Sequence, residues 1–145
     1  MKVKIRISSI IEDADERGIA VGEPEETETK HIGSYEYSDG VQTLTYSERS
    51  EGGEVSSVIT VRDGEVTVKR EGAIRSELQF KEGESYSSLY SIPPYSFDAT
   101  VKTRKMRLSL DITGGSIDMF YNMKIGGADK SARMRIWISP CSSKI

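Results

Sequence analysis

The sequence is poor in the residues on which most enzyme chemistry and covalent crosslinking depend. Its 145 residues include one cysteine, Cys141, and one histidine, His31. A lone cysteine excludes an internal disulfide, and a lone histidine leaves little for a zinc site or a catalytic triad. We therefore expect no enzyme activity, no metal and no cofactor, with His31 a polar strand residue and Cys141 an inert thiol.

Long apolar runs are absent as well. A membrane-spanning helix needs about 20 consecutive apolar residues, and a secretory signal needs a continuous apolar stretch. The chain starts instead with charged and aliphatic residues in alternation over Lys2–Ile7. These patterns predict a cytoplasmic protein that does not enter a membrane.

Charge is unevenly divided along the chain. Residues 1–98 carry 11 basic and 20 acidic side chains, whereas residues 99–145 carry 9 basic and 3 acidic ones. The net charge of −3 argues against general nucleic-acid binding, because phosphate binding needs a positive surface. We expect no nucleic-acid partner, although the basic last third can form a local face that attracts anions.

Turn signals recur at the spacing of short antiparallel strands. Glycine-containing turns lie mostly about 8–12 residues apart, and β-branched and aromatic residues alternate between them. The pattern predicts nine or ten strands: 2–11, 27–37, 41–49, 54–62, 65–71, 73–81, 84–91, 95–112 (one strand or two), 115–125 and 131–139. Such a meander leaves open edges unless it closes. We therefore predict one all-β domain over residues 1–145, a closed antiparallel up-and-down barrel of about 8–10 strands.

Residues 12–26 predict an exposed acidic loop. Asp13 begins an Asp-x-Asp-x-x-Gly pattern like that of a calcium loop. Arg17 and Pro24 stand where the calcium loop needs oxygen ligands. We expect a solvated loop without a metal.

Three hairpins test this fold through the match of their apolar faces. Their turns lie at Asp63-Gly64, at residues 50–53 and at Thr113-Gly114, and Asp-Gly supplies the positive φ angles of a type I′ turn. The predicted pairs are Val61–Val66, Ile59–Val68, Leu44–Ile59, Leu110–Ile117, Leu108–Met119 and Met106–Tyr121.

The segment 95–112 is too long for one regular strand with a single face. Its apolar parity switches near Thr103-Arg104-Lys105, which predicts a β-bulge there. In the last hairpin, a loop over Gly127–Lys130 sets Phe120 opposite Trp137, and a Gly127-Ala128 turn sets it opposite Arg135. Either register leaves Trp137 on the outer face.

Several segments resemble the YwiB-like family of small bacterial proteins. The resemblance covers nearly the whole chain and implies a lipocalin-like (calycin) barrel of unknown function. It rests on the alternating start Lys2–Ile7, on Gly-Glu-Val-Thr-Val-Lys-Arg-Glu-Gly (64–72), Ser-Glu-Leu-Gln-Phe-Lys-Glu-Gly (76–83), Ser-Leu-Tyr-Ser-Ile-Pro-Pro-Tyr (88–95), Val-Lys-Thr (101–103) and Gly-Gly-Ser-Ile-Asp-Met-Phe-Tyr (114–121).

Two arginines are candidates for a ligand site inside the barrel. Arg70 has the parity of the apolar residues in its strand, and Arg104 has the parity of Met106 beyond the bulge. With Tyr90 and Tyr95 as hydrogen-bonding walls, they would clamp a carboxylate or a phosphate. Alternatively, Arg70 lies near the rim and pairs with an acid such as Glu71 or Glu77, because a lone buried charge is costly.

Phe120, Arg135 and Trp137 form a second candidate site on the outside. The two aromatic residues oppose the apolar faces of their strands and lie beside arginines, as in interaction patches. Two functions follow. The first is a non-catalytic binder of a small anionic or amphipathic molecule. The alternative is a protein-interaction module or homodimer that uses the Phe120/Trp137 face.

Overall fold

The computed structural model describes residues 1–141, in which ten antiparallel strands close into one barrel. Each strand pairs with the next along the chain, and β10 pairs with β1 to complete the ring. The predicted all-β meander is confirmed. The strands are β1 (Lys2–Asp13), β2 (Glu25–Ser38), β3 (Val41–Ser50), β4 (Gly53–Arg62), β5 (Glu65–Gly72), β6 (Arg75–Lys81), β7 (Ser85–Ile92), β8 (Tyr95–Asp111), β9 (Gly114–Ile125) and β10 (Ala128–Pro140).

The alternation of apolar and polar residues decides which side of each strand is buried. In β9, Ile117, Met119 and Tyr121 are buried, while the residues between them are partly exposed. A strand places successive side chains on opposite faces, so this period of two builds one filled interior.

The β4–β5 and β3–β4 hairpins have the predicted registers. Val61 pairs with Val66, Ile59 pairs with Val68, and Leu44 pairs with Ile59. Asp63 and Gly64 have φ angles of 49° and 74°, which a two-residue turn of type I′ requires.

The predicted registers of the last two hairpins are wrong. The β8–β9 ladder pairs Leu108 with Ile117, and the β9–β10 turn is Gly126-Gly127. Phe120 therefore lies opposite Arg133, not opposite Trp137 or Arg135. Both shifts are even numbers of residues, so no side chain changes face and Trp137 stays outside.

The predicted bulge is present in β8. The register with β9 shifts between Thr103 and Lys105, and Arg104 has no partner residue in the ladder. Because the bulge adds one residue, buried Thr103 and half-buried Met106 both belong to the inner side.

The two ends of the barrel differ. At one end, here the turn end, short turns join the strands at residues 39–40, 63–64 and 112–113. The interior there is packed with apolar side chains that leave no room for a water molecule between them: Tyr35, Leu44, Ile59, Val61, Leu110, Ile117 and Ile138. The opposite end, here the loop end, carries the long connection 14–24.

The wall is incompletely hydrogen-bonded at two places, between β6 and β7 and between β2 and β3. β6 and β7 pair only at Arg75–Ser91 and Ser76–Tyr90, and the turn between them bonds to β8 instead. Gly83 N donates to Thr103 O over 2.8 Å. The pairing of β2 with β3 likewise covers only Ser34–Ser38 of β2. The sheet therefore separates at two places around the ring.

Candidate functional site

A row of polar side chains crosses five neighbouring strands inside the loop-end half of the barrel. The paired positions run from β3 to β7 without a break. Residues directly opposite one another share a face of the sheet. The row consists of Tyr46, Ser57, Arg70, Ser76 and Tyr90.

Arg70 is at the centre of this row and lacks a counter-ion within the described residues. Its Nε is buried without a hydrogen-bond partner, and so are Ser57 Oγ and Ser76 Oγ on either side. No ion pair joins Arg70 to Glu71 among the described residues, and the Glu71 carboxylate lies 3.3 Å from Lys69 Nζ instead. The predicted pairing of Arg70 with Glu71 or Glu77 is therefore wrong. Glu71 and Glu77 each follow an inward-facing residue directly, so their side chains point outward.

Three tyrosines surround the Arg70 guanidinium. Burial raises the pKa of Tyr46, the charge of Arg70 together with nearby Ser57 opposes that rise, and the carboxylate of Glu48 adds to it. Burial raises the pKa of Tyr121 to about 12, again against the effect of Arg70, while Tyr90 adds to the rise. Tyr46 and Tyr121 therefore keep neutral hydroxyl groups beside this cation at neutral pH.

His31 also belongs to this cluster. Its ring stacks on Tyr46 with centroids 4.6 Å apart, and its Nε2 lies 3.8 Å from a carboxylate oxygen of Glu48. The sequence predicts His31 only as a polar strand residue. Its parity with buried Tyr35 in β2 was the signal that it faces the interior.

A cleft of about 380 Å³ reaches the cluster from the side of the barrel. Arg70, Ser76 and Ser88 line it from the inner faces of β5, β6 and β7. Leu89, which is 62% exposed, stands at its outer mouth. The cleft lies where the pairing of β6 with β7 ends, so it leads through the wall toward Arg70.

The structure brings only two of the four predicted ligand residues together. Tyr90 lies in the polar row with Arg70, whereas Tyr95 is 66% exposed in the β7–β8 hairpin. This hairpin extends past the start of β6. A side chain on its inner face therefore has no neighbouring strand to cover it and stays exposed. Arg104 is exposed at the bulge and donates to Ser131 Oγ at 3.4 Å. Its expected inward direction is wrong, because the bulge residue leaves the alternation.

The predicted interface residues Phe120, Arg135 and Trp137 lie on the outer face, and both aromatic rings lie against arginines. The Arg6 guanidinium lies 4.0 Å from the centre of the Trp137 ring, and that of Arg135 lies 5.5 Å away. Arg133 covers Phe120 at 4.5 Å and also binds Asp118 through two hydrogen bonds. This bonding lowers the pKa of Asp118.

The acidic loop satisfies its own carboxylates. Asp15 accepts hydrogen bonds from the backbone of Ile19 and from Arg17, which lower its pKa. Asp13 pairs with Lys130, and Asn122 Nδ2 on β9 donates to Gly18 O at 2.9 Å. The loop therefore packs along the outer wall. Within residues 1–141, no group of three His, Cys, Asp or Glu side chains is placed to hold a metal ion.

No helix able to cross a membrane occurs in the described part of the chain. The half-buried thiol of Cys141 follows β10 directly, and its backbone N donates to Lys2 O at 3.0 Å.

Comparison with known proteins agrees with this barrel. The chain is similar to the uncharacterized beta-barrel protein YwiB of Bacillus subtilis (strain 168), with 27% identity over 124 residues, 86% of this chain and 82% of that protein. The crystal structure of YwiB from the same organism superimposes with a TM-score of 0.84 at 26% identity, and covers 97% of this chain and 92% of that one. Residues 5–138 match the domain of unknown function DUF1934. The chain therefore belongs to the DUF1934 family, as the resemblance to YwiB-like proteins predicts.

Proposed function

We propose that this protein is a non-catalytic binder of a small anionic molecule, whose charged group binds Arg70 through the cleft between β6 and β7. The observation that carries the proposal is the set of buried donors around Arg70. A buried polar group without a partner costs about 1–3 kcal/mol, and a charged one costs more. A carboxylate or phosphate would satisfy these donors together.

The chemistry of the cluster favours an anion. Arginine presents a planar fork of donors that matches carboxylate and phosphate oxygens. Ser57, Ser76 and Ser88 lie on the inner faces of the strands around it and add short hydroxyl donors. Tyr46 and Tyr121, whose pKa burial raises, contribute further uncharged donors, while Glu71 and Glu77 line the outer side of the cleft.

The packing of the barrel limits the ligand to a small head group with an apolar part outside. The turn-end interior is filled, so no long hydrocarbon chain fits there. Leu89 is exposed at the mouth of the cleft and offers an apolar side chain there. An amphipathic carboxylate is therefore the ligand class that matches both the charge and the apolar rim.

A binding role without catalysis suits the residues of the site. His31 is stacked on Tyr46 and hydrogen-bonds Thr29 Oγ1 at 3.0 Å, and it is not among the residues that line the cleft. The proposal also places the protein in the cytoplasm. In support, the sequence has a single cysteine, whereas small secreted domains often depend on disulfides.

Titration by NMR tests the proposal directly. The full chain is labelled with ¹⁵N, and the Arg70 Nε–Hε signal is followed during addition of inorganic phosphate, acetate or octanoate. We expect saturable shifts of this signal, strongest with octanoate. Arg70→Gln should weaken binding about 10- to 100-fold, the loss of about 1.5–3 kcal/mol in charge-assisted bonding. Arg70→Lys, which keeps the charge but not the fork, should give an intermediate loss.

Arg75→Gln is the matched control, because Arg75 lines the same cleft but is exposed on the outer side. It should change the affinity by about twofold or less, as exposed charges contribute little. Far-ultraviolet circular dichroism establishes that each variant is folded. The absence of saturable shifts with all three probes, or equal binding by Arg70→Gln and the unmodified chain, would contradict the proposal.

A further inference from the structure

We infer that a second copy of this chain docks its acidic segment 19–28 into a cationic groove beside Trp137. The inference rests on the outer wall and is independent of the interior site. The groove crosses the outer faces of β2, β1 and β10 and has a volume of about 590 Å³. Trp137 and exposed Ile32 form its apolar walls, and Lys4, Arg6 and Lys30 line it with positive charge.

The positive charge of the groove is largely uncompensated. Arg6 Nε lies 3.8 Å from Glu28 Oε1, and both side chains are about half exposed, so this contact is weak. Lys30 lies opposite Arg6 in the β1–β2 ladder, and Arg6 in turn lies opposite Trp137. Cations on neighbouring positions repel one another and gain from an anionic partner.

Trp137 orients the groove toward carboxylates. The guanidinium groups of Arg6 and Arg135 both rest against its ring, which restricts their motion, and Arg6 has only the weak contact with Glu28 as an ion pair. A planar guanidinium held in this way is prepared for a two-point contact with a carboxylate. A nucleic-acid base would have to displace an arginine before it could stack on the ring, so an acidic peptide fits better.

The chain itself contains such a peptide. Residues 19–30 are all exposed, and they include the run Glu-Pro-Glu-Glu-Thr-Glu over residues 23–28. Just before this run, Ile19 and Val21 are 52% and 65% exposed. Two aliphatic side chains next to four carboxylates match an apolar groove that is lined with lysine and arginine.

Of this segment, only Glu28 reaches the groove of its own barrel, through its weak contact with Arg6. Glu26 is fixed opposite Ile10 in the β1–β2 ladder, whereas the groove lies at Lys4, six positions away along β1. Six residues of strand span about 20 Å. Two copies related by a two-fold axis can exchange segments, so each groove receives the segment of the other copy and the contact forms twice.

Sedimentation equilibrium with Trp137 fluorescence tests the inference. Trp137 is the only tryptophan, so its emission reports the groove alone. We expect dimers at low salt that dissociate as salt rises, because charge pairs at a surface are screened. Arg6→Glu should raise the dimer dissociation constant about tenfold or more, since attraction is replaced by repulsion. Arg62→Glu, a charge reversal at an exposed residue away from the groove, should leave it unchanged.

A charge swap separates this contact from any other mode of association. The groove variant Arg6→Glu and the segment variant Glu25→Lys/Glu26→Lys should each be monomeric alone. Mixed together, they should form heterodimers, because both exchanged contacts then join opposite charges. A monomeric unmodified chain at low salt, a dimer that ignores both variants, or a failure of the mixture to associate would each overturn the inference.

Discussion

Buried polar atoms without partners lie in the same half of the barrel as Arg70. Thr103 is fully buried on β8, opposite Tyr121, and its Oγ1 has no hydrogen-bond partner. A hydroxyl in this state lowers stability, because it has lost its hydrogen bonds to water and gained none. Sequence parity predicts that Arg70 and Thr103 face inward. Whether a hydrogen-bond partner lies within reach of these side chains depends on the distances between strands. The alternation of residues along one strand gives no information about those distances.

Thr103→Val should therefore raise the free energy of unfolding by about 1 kcal/mol, because valine has nearly the same shape and no hydroxyl to desolvate. Urea denaturation measures the change. Thr113→Val is the contrasting variant, since Thr113 Oγ1 donates to Asp111 Oδ1 over 2.6 Å at an exposed turn. That variant should lower stability slightly. Destabilisation by Thr103→Val would mean that the hydroxyl has a partner in solution.

At the scale of strands and turns, the sequence predicts faces better than registers. Asp63-Gly64 specifies one turn, because aspartate tolerates positive φ and glycine must follow it. The glycine pairs at 114–115 and 126–127 allow several turns of similar strain, so the register there depends on packing across the whole barrel. A register shift by an even number of residues leaves Trp137 on the outer face, but it changes which residue of β9 lies opposite Trp137.

Gly72 supplies a test of how closely two strands approach. Its φ is 121°, and a Cβ at this position would overlap the carbonyl oxygen of Glu54 on β4. Gly53 has a similar φ of 127°, but its Cβ would meet only Ala73 Cβ at 3.9 Å. Gly53→Ala should cost about 1–3 kcal/mol of stability from backbone strain.

Gly72→Ala should cost at least about 2 kcal/mol more than Gly53→Ala, because β4 and β5 must also move apart. Thermal and urea unfolding of the two variants measure this difference. Gly72 and Gly53 have similar φ angles, so the backbone strain of the two variants is the same. Equal losses of stability would therefore show that β4 and β5 can move apart at Gly72 at no cost in free energy.

For the whole molecule, the decisive feature is the contrast between an apolar turn end and a polar loop end. The turn-end interior is filled with aliphatic side chains and Tyr35, whose hydroxyl donates to Asp111 O at 2.8 Å. The loop-end interior holds Arg70 among tyrosines and serines. The candidate site was thus predictable only in part: Arg70 and Tyr90 follow from parity. The exposure of Tyr95 follows from the unequal strand lengths that the closed ring imposes.

This contrast predicts a loss of stability at alkaline pH. The pKa of Tyr121 is about 12 in the folded barrel against an ordinary value of 10.0, so the folded state keeps a proton that the unfolded chain releases. The free energy of unfolding should be unaffected by this group below pH 10 and should fall between pH 10 and 12. A shift of this size corresponds to about 2–3 kcal/mol. Tyr121→Phe should flatten the fall, as measured by urea unfolding across the pH series. Tyr95→Phe, at an exposed tyrosine, should not; a fall that is equally steep in all three proteins would place the alkaline transition elsewhere than the polar interior.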